Sequence, residues 1–267
     1  MPMIHAGGID MYYEIHGPED AAVLVLSNGV FMTTASWVHQ KDVLSQHVRL
    51  LLYDCRGMGL SDHPAGPYSM ALHAHDLAAL MDGLGIERAH IGGISYGAEV
   101  SMTFAIDHPE RVRTLIVASA VSQSDAVLQG MIASWTAAAE ANSPRALYLA
   151  SYFLNFSDRF ISENRAAIEA SEARFASLDM DAVRELLLAF SRLNLTSELH
   201  RITVPTLVMV GEDDVLKPRK YSEIIAREIQ NAELVVVPKA GHALPIEQPG
   251  IFNSLVLGFI ARFRART

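Results

Sequence analysis

The chain has 267 residues, half of them hydrophobic and 19% charged, which is an ordinary globular composition with enough length to bury a core in one large or two small domains. Its formal net charge of -9 speaks against general nucleic-acid binding and against an anionic membrane surface, because both attract a positive field. No apolar run approaches the ~18 residues that span a bilayer, Met1 to Ala6 lacks the build of an export signal, and the lone Cys55 cannot form an internal disulfide, so a cytoplasmic protein without a membrane attachment is expected.

In chain order, residues 2–16 read as a hairpin, Met3 to Ala6 and Ile9 to His16 about a Gly7-Gly8 turn. The continuous apolar runs Ala21 to Leu26 and Val48 to Tyr53 are of the kind found where both faces of a strand are covered by helices, and a helix over about Ser36 to Gln46 separates them. Ser69 can cap a helix running to about Leu84, which Gly85 stops. A strand then ends in Gly93-Ile94-Ser95-Tyr96-Gly97, a helix follows to about His108, and Val112 to Ala118 is again a solid apolar strand. Strand and helix alternating in this way predict a parallel sheet with helices on both faces.

The alternation stops at Val121. From there to His200 the signals are helical only, over about 125–141, 144–156, 159–176 and 180–193, with starts at Ser143-Pro144, Asp158 and Asp179. Residues 121–200 therefore read as a helical cap inserted into a core made of 1–120 and 201–267. Most of its aromatics should be packing, with Trp135, Tyr152 and Phe153 the candidates to line a pocket. The sheet pattern resumes with a strand from Thr206 to Val210, a helix from about Lys217 to Ile229, a strand from Glu233 to Val237 and a last helix from about Pro249 to Phe263.

Three strand-end loops carry a serine, an acid and a histidine in the order Ser95, Asp214, His242. Ligands in open parallel sheets bind outside these strand ends. A serine hydroxyl is a poor nucleophile until a base takes its proton, histidine titrates in the right range to do so, and a carboxylate fixes the imidazole tautomer. A serine on a strained turn between strand and helix needs small neighbours two residues away, which Gly93 and Gly97 supply.

With Asn28-Gly29, Asp54-x-Arg56-Gly57-x-Gly59-x-Ser61-Asp62, the Gly93-x-Ser95-x-Gly97 turn, Gly211-x-x-Asp214 and Gly241-His242-x-x-x-x-Glu247-x-Pro249, the chain resembles the α/β-hydrolase superfamily over nearly its whole length. The resemblance implies an α/β-hydrolase fold, with a mostly parallel eight-stranded sheet, helices on both faces and an all-helical cap. Within it the core looks like bacterial enol-lactone hydrolases and esterases, which share the Ser27-Asn28 start of the first loop. The stretch Asn28 to Ser36 and parts of the insert look instead like hydroxyacyl transferases of rhamnolipid and polyester precursor synthesis. The resemblance also implies an oxyanion hole built from the backbone N–H groups of Val30 and Tyr96, with Asn28 and Gly29 supporting it, and implies no metal or organic cofactor.

Some positions carry alternatives. Asp213 adjoins Asp214, and Asp125 is an outside candidate for the acid; Asp54, Arg56 and Asp62 read as loop braces. His73 and His75 fall on different helix faces, so a metal site is not expected, and Cys55 reads as structural. The insert arginines, Arg145, Arg159, Arg165, Arg174, Arg184 and Arg192, read as a solvated face from which one could receive a substrate carboxylate. The expected function is hydrolysis of a small-molecule ester, lactone or thioester with a hydrophobic acyl or aryl group. Acyl transfer to an alcohol is the alternative, and ligand sensing is a distant third. The sequence leaves the oligomeric state open.

Overall fold

A computed structural model describes residues 2–263. Eight strands, β1 Met3–Ala6, β2 Ile9–His16, β3 Val23–Ser27, β4 Arg49–Tyr53, β5 Ala89–Ile94, β6 Val112–Ala118, β7 Thr206–Gly211 and β8 Ala232–Val237, form one sheet in the order β1-β2-β4-β3-β5-β6-β7-β8. The β1–β2 hairpin joins β4 antiparallel and every later pairing is parallel, so the sheet is mostly parallel with an antiparallel edge. The helices are α1 Val38–Leu44, α2 Met70–Gly83, α3 Tyr96–Asp107, α4 Ala126–Glu140, α5 Pro144–Ser151, α6 Asp158–Ala170, α7 Glu172–Phe175, α8 Met180–Ser191, α9 Arg219–Glu228, α10 Leu244–Glu247 and α11 Pro249–Arg262.

The apolar runs of the central strands divide by alternate residues. Leu24, Leu26, Leu50, Leu52, Ile116, Leu207 and Met209 face a core completed by Trp37, Leu44, Phe252, Val256 and Phe259, which belong to the α1 and α11 layer. Val25, Leu51, Ile91, Leu115, Val117 and Val208 face the opposite core, formed with residues of α2, α3 and α9. Because side chains alternate across a strand, a run apolar at every position serves both layers at once. Each such leucine, fully withdrawn from water, contributes roughly 2 kcal/mol of transfer free energy.

The segment between β6 and β7 holds only helices, α4 to α8. It leaves and re-enters the sheet layer through a short antiparallel bridge between Gln123 and Asn194. Leu128, Ile132, Trp135, Leu186, Leu187 and Phe190 from this segment share one hydrophobic core with the sheet face that carries α3.

Element boundaries differ from the expected ones at four places. The helix expected over Ser36 to Gln46 is a 3-10 turn, Thr34–Trp37, followed by α1, because the fully buried Trp37 donates its indole N–H to Asn28 Oδ1 at 2.7 Å. The helix expected over 159–176 is α6 plus α7, with Asn164 off helical geometry at φ -124°. The one expected over 144–156 is α5 and a 3-10 turn, Tyr152–Asn155. The helix expected from Lys217 starts at Arg219, since the Lys217 N–H is taken by Asp214. Among the described residues no helix is long and apolar enough to cross a membrane.

Candidate active site

Ser95 stands between β5 and α3 with φ 54° and ψ -121°, a left-handed conformation that an L-residue holds only when its surroundings enforce it. The two flanking glycines are the enforcement. A Cβ on Gly93 would lie 2.5 Å from the backbone carbon of Gly97, and a Cβ on Gly97 would lie 2.2 Å from the carbonyl oxygen of Ser27. The Ser95 N–H donates to Ala118 O at 2.8 Å, which pins the turn to the end of β6.

Asp214 follows β7 and His242 follows β8, in loops that touch. A Cβ on Gly211 would sit 2.3 Å from the carbonyl oxygens of both Ala240 and Gly241, so glycine is what lets the acid loop lie against the histidine loop. The His242 Nδ1 is 2.9 Å from Asp214 Oδ2, and the two side chains are 4% and 0% exposed. Asp214 Oδ1 accepts from the N–H groups of Leu216 and Lys217 at 3.0 and 2.8 Å, which fixes the orientation of the carboxylate. With Nδ1 turned to the acid, Nε2 is the ring nitrogen left for proton transfer, and both His242 and Ser95 line one cavity. The alternative acids lie elsewhere. Asp213 is exposed, and Asp125 caps the N-terminus of α4 while accepting from the Tyr221 hydroxyl at 2.7 Å.

The loop after β3 passes directly over the serine, since a Cβ on Gly29 would lie 3.6 Å from Ser95 Cβ. Asn28 is fully buried and does not line the cavity. Its side chain donates to Tyr53 O and Asp54 Oδ1 and accepts from Trp37, which fixes the loop. Val30 and Tyr96 both line the cavity, and the Tyr96 N–H, first in α3, has no intrahelical acceptor. The Asp54-to-Asp62 loop is braced throughout. Asp54 accepts from Thr34 and Leu60, Arg56 grips Asp76 at 2.7 Å, and Asp62 accepts from Asp10 N–H.

The cavity holds about 430 Å³. Trp135 and Tyr152 line it; Phe153 does not, and its ring packs on Tyr148 at 5.7 Å between centroids. Phe31, Phe175 and Phe190 line it without having been singled out, and Phe31 touches Trp135 and Phe175 at 6.0 and 5.6 Å. Of the insert arginines, Arg145, Arg159, Arg165 and Arg184 each pair with a glutamate. Arg174 instead reaches the cavity, where it donates to the Tyr152 hydroxyl at 3.0 Å.

The least anticipated feature is a buried ion pair in the cavity wall. Glu99, one turn beyond Ser95 in α3, pairs through Oε1 with Lys217 Nζ, and their side chains are 0% and 2% exposed. Val121 N–H also donates to Oε1, at 3.2 Å, while Oε2 has no hydrogen-bond partner. Burial pushes the Glu99 carboxyl above its ordinary value, and the Lys217 ammonium pulls against that shift. The signal for it was present in α3, whose residues Tyr96 to Ile106 are all buried. A glutamate in a helix buried on every side needs a partner.

The insert is joined to the histidine loop by a second buried carboxylate. Glu247 accepts from the N–H and hydroxyl of Ser157 and from Gly241 N–H, and Ala243 N–H donates to Asn155 O at 2.7 Å. Cys55 is buried, with its thiol pushed up to about 12 by desolvation, so it is no nucleophile at neutral pH.

The family profile described as alpha/beta hydrolase fold matches residues 22–249. A protein of Azorhizobium caulinodans named "Putative carbamate hydrolase RutD" is 33% identical over 264 residues, covering 97% of this chain and 98% of that one. Among solved structures, MGS-M2, an alpha/beta hydrolase enzyme from a deep-sea metagenome library, superposes with a TM-score of 0.94 at 29% identity, covering 100% and 99% of the two chains. The enol-lactonase from Burkholderia xenovorans LB400 superposes with a TM-score of 0.91 at 26% identity, covering 97% and 100%.

Proposed function

The chain belongs to the alpha/beta hydrolase family and is a hydrolase of that fold, and from that premise we propose that it cleaves a small carboxylic ester, lactone or thioester through an acyl-enzyme on Ser95. The observation that carries the reading is the buried Asp214–His242 contact at 2.9 Å beside a cavity that Ser95 also lines from a strained turn.

In this reading Ser95 Oγ attacks the substrate carbonyl carbon as its proton passes to His242 Nε2. Asp214 holds Nδ1–H and stabilises the imidazolium. The N–H groups of Val30 and Tyr96 receive the oxyanion, each contributing roughly 3 kcal/mol to the transition state. Collapse breaks the carbonyl–heteroatom bond, and the leaving group takes the proton from His242. Water, deprotonated by the same nitrogen, then attacks the acyl-enzyme, and the carboxylate product leaves with Ser95 restored. Residues 121–200 act as the cap that selects the acyl group, with Trp135 and Tyr152 in its inner wall.

The same centre would serve an alcohol acceptor in place of water, and the name carried by the Azorhizobium caulinodans protein adds carbamates to the candidate substrates. The test is a panel of p-nitrophenyl esters, lactones, acyl thioesters and aryl carbamates, run with and without an alcohol acceptor on the parent and on Ser95→Ala. Ester, lactone or thioester turnover that disappears in Ser95→Ala is the expected result. Full activity in that variant sinks the assignment, and turnover found only with an alcohol present replaces hydrolysis by transfer.

A further inference from the structure

Phe31 holds a backbone conformation that its own side chain opposes. The loop after β3 turns over Gly29 to Met32, closed by the Met32 N–H donating to Gly29 O at 3.1 Å, and Phe31, third in that turn, has φ 66°. A turn with a left-handed third residue ordinarily takes glycine there, and a bulky side chain stays in that conformation only when its surroundings hold it. The surroundings here belong to the cap. The Phe31 ring lies 6.0 Å from that of Trp135 at a tilt of 55°, and 5.6 Å from that of Phe175 at 53°. Both neighbours are themselves held: the Trp135 indole N–H donates to Ala150 O at 3.1 Å, and Phe175 packs on Tyr148 and Tyr152 at 5.4 and 5.6 Å between centroids.

Resting on the serine-hydrolase reading, we infer that Phe31 is a specificity-determining residue whose ring, braced between the oxyanion loop and the cap, limits the length of the acyl group. The ring lines the cavity together with Ser95, His242, Trp135 and Phe175. Phe31 directly follows Val30, with consecutive Cα atoms about 3.8 Å apart, so a carbonyl oxygen received by the Val30 N–H brings its acyl group to this side chain. Ring contacts then run from the loop to the cap without a break, and a chain that lengthens in that direction must displace an aromatic ring from two rigid neighbours. Glycine at position 31 would make the same turn without strain, but it would leave the space between Val30 and Trp135 unfilled. The strained backbone is thus the condition for placing a wall beside the oxyanion hole.

The test measures kcat/KM for p-nitrophenyl butyrate and p-nitrophenyl octanoate in the parent, Phe31→Gly and Phe31→Ala. Both variants remove the ring, and only glycine relaxes the backbone. The octanoate-to-butyrate ratio should rise by about 10- to 100-fold over the parent in both, while Phe31→Gly should melt about 2–4 °C above Phe31→Ala. A ratio unchanged in both variants, with turnover still lost in Ser95→Ala, overturns the assignment of Phe31 and leaves the serine reading intact. Turnover that survives Ser95→Ala overturns the serine reading itself. Ethyl butyrate and octyl butyrate vary the leaving group alone; a ratio that moves for this pair and not for the p-nitrophenyl pair overturns the acyl assignment. Phe153→Leu alters the same aromatic cluster outside the cavity lining and should keep the parental ratio. An equal rise in that variant would trace the effect to a loosened cluster and overturn the role of the ring.

Discussion

The contact between α3 and the loop after β3 is the most demanding in the site, and Gly97→Ala probes it directly. The added methyl would lie 2.2 Å from Ser27 O, 2.4 Å from Ser27 C and 2.6 Å from Asn28 O, all backbone atoms that cannot rotate away. Restoring ordinary van der Waals separation requires the helix and the loop to part by about 1 Å. That displacement carries Tyr96 N–H away from Val30 N–H, and misplacement on this scale costs about 100-fold in rate. Overpacking of this kind costs about 1–3 kcal/mol of stability, or roughly 2–12 °C in Tm for a chain of this size. Gly258→Ala, on the exposed side of α11 with nothing within 4 Å of its Cβ, is the control and should gain about 0.5–1 kcal/mol. Ester turnover and thermal melts on both variants decide the matter. A Gly97→Ala protein with parental kcat/KM and parental Tm would refute the claim that this close approach assembles the site.

Three further outcomes are expected. Asp214→Asn should lower kcat by about 10⁴-fold because it leaves His242 in the wrong tautomer, whereas the exposed Asp213→Asn should stay within a few-fold; equal losses would reject the acid assignment. Asp125→Ala should cost about 1 kcal/mol through the lost α4 cap and leave kcat unchanged, read by urea unfolding beside the ester assay. His73 concerns stability against pH. Burial, with Arg56 nearby, depresses its folded pKa to about 3, and neither ring nitrogen has a hydrogen-bond partner. The unfolded chain binds a proton below about pH 6.5 that the folded one refuses until about pH 3, so stability falls as pH drops through that window. Between pH 7 and 4.5 the parent should lose about 2–3 kcal/mol that His73→Phe does not lose, measured by urea unfolding at both values.

The parts of the site that were legible in the sequence are those where backbone meets backbone. Gly93, Gly97 and Gly211 are needed because a Cβ would strike main-chain atoms, and such requirements leave fixed spacings around Ser95 and Asp214. The strand layers were legible for a similar reason, since covering on both faces makes β3 to β7 apolar without alternation. The cavity wall was harder to read. Phe153 and Phe175 are equally aromatic in the sequence and both pack on Tyr148, yet with the helical segments broken after α5 and within 159–176 only Phe175 also lines the cavity. Lys217 reads as the first residue of a helix, yet Asp214 holds it in the preceding loop and its side chain turns inward to Glu99. Both misreadings come from tertiary contacts overriding local pattern.

The Ser157–Glu247 joint has a consequence for exchanging the insert between relatives. Because Glu247 holds Ser157 and Gly241 at once, the start of α6 in the middle of the insert is tied to the His242 loop. A transplanted insert with a side chain other than a hydroxyl at position 157 would leave a buried carboxylate, five residues from His242, with backbone donors only. Such a chimera should fail in turnover before it fails in folding, whatever pocket its helices offer. Specificity in this scaffold is therefore interchangeable only as a cassette that brings its own hydroxyl for Glu247.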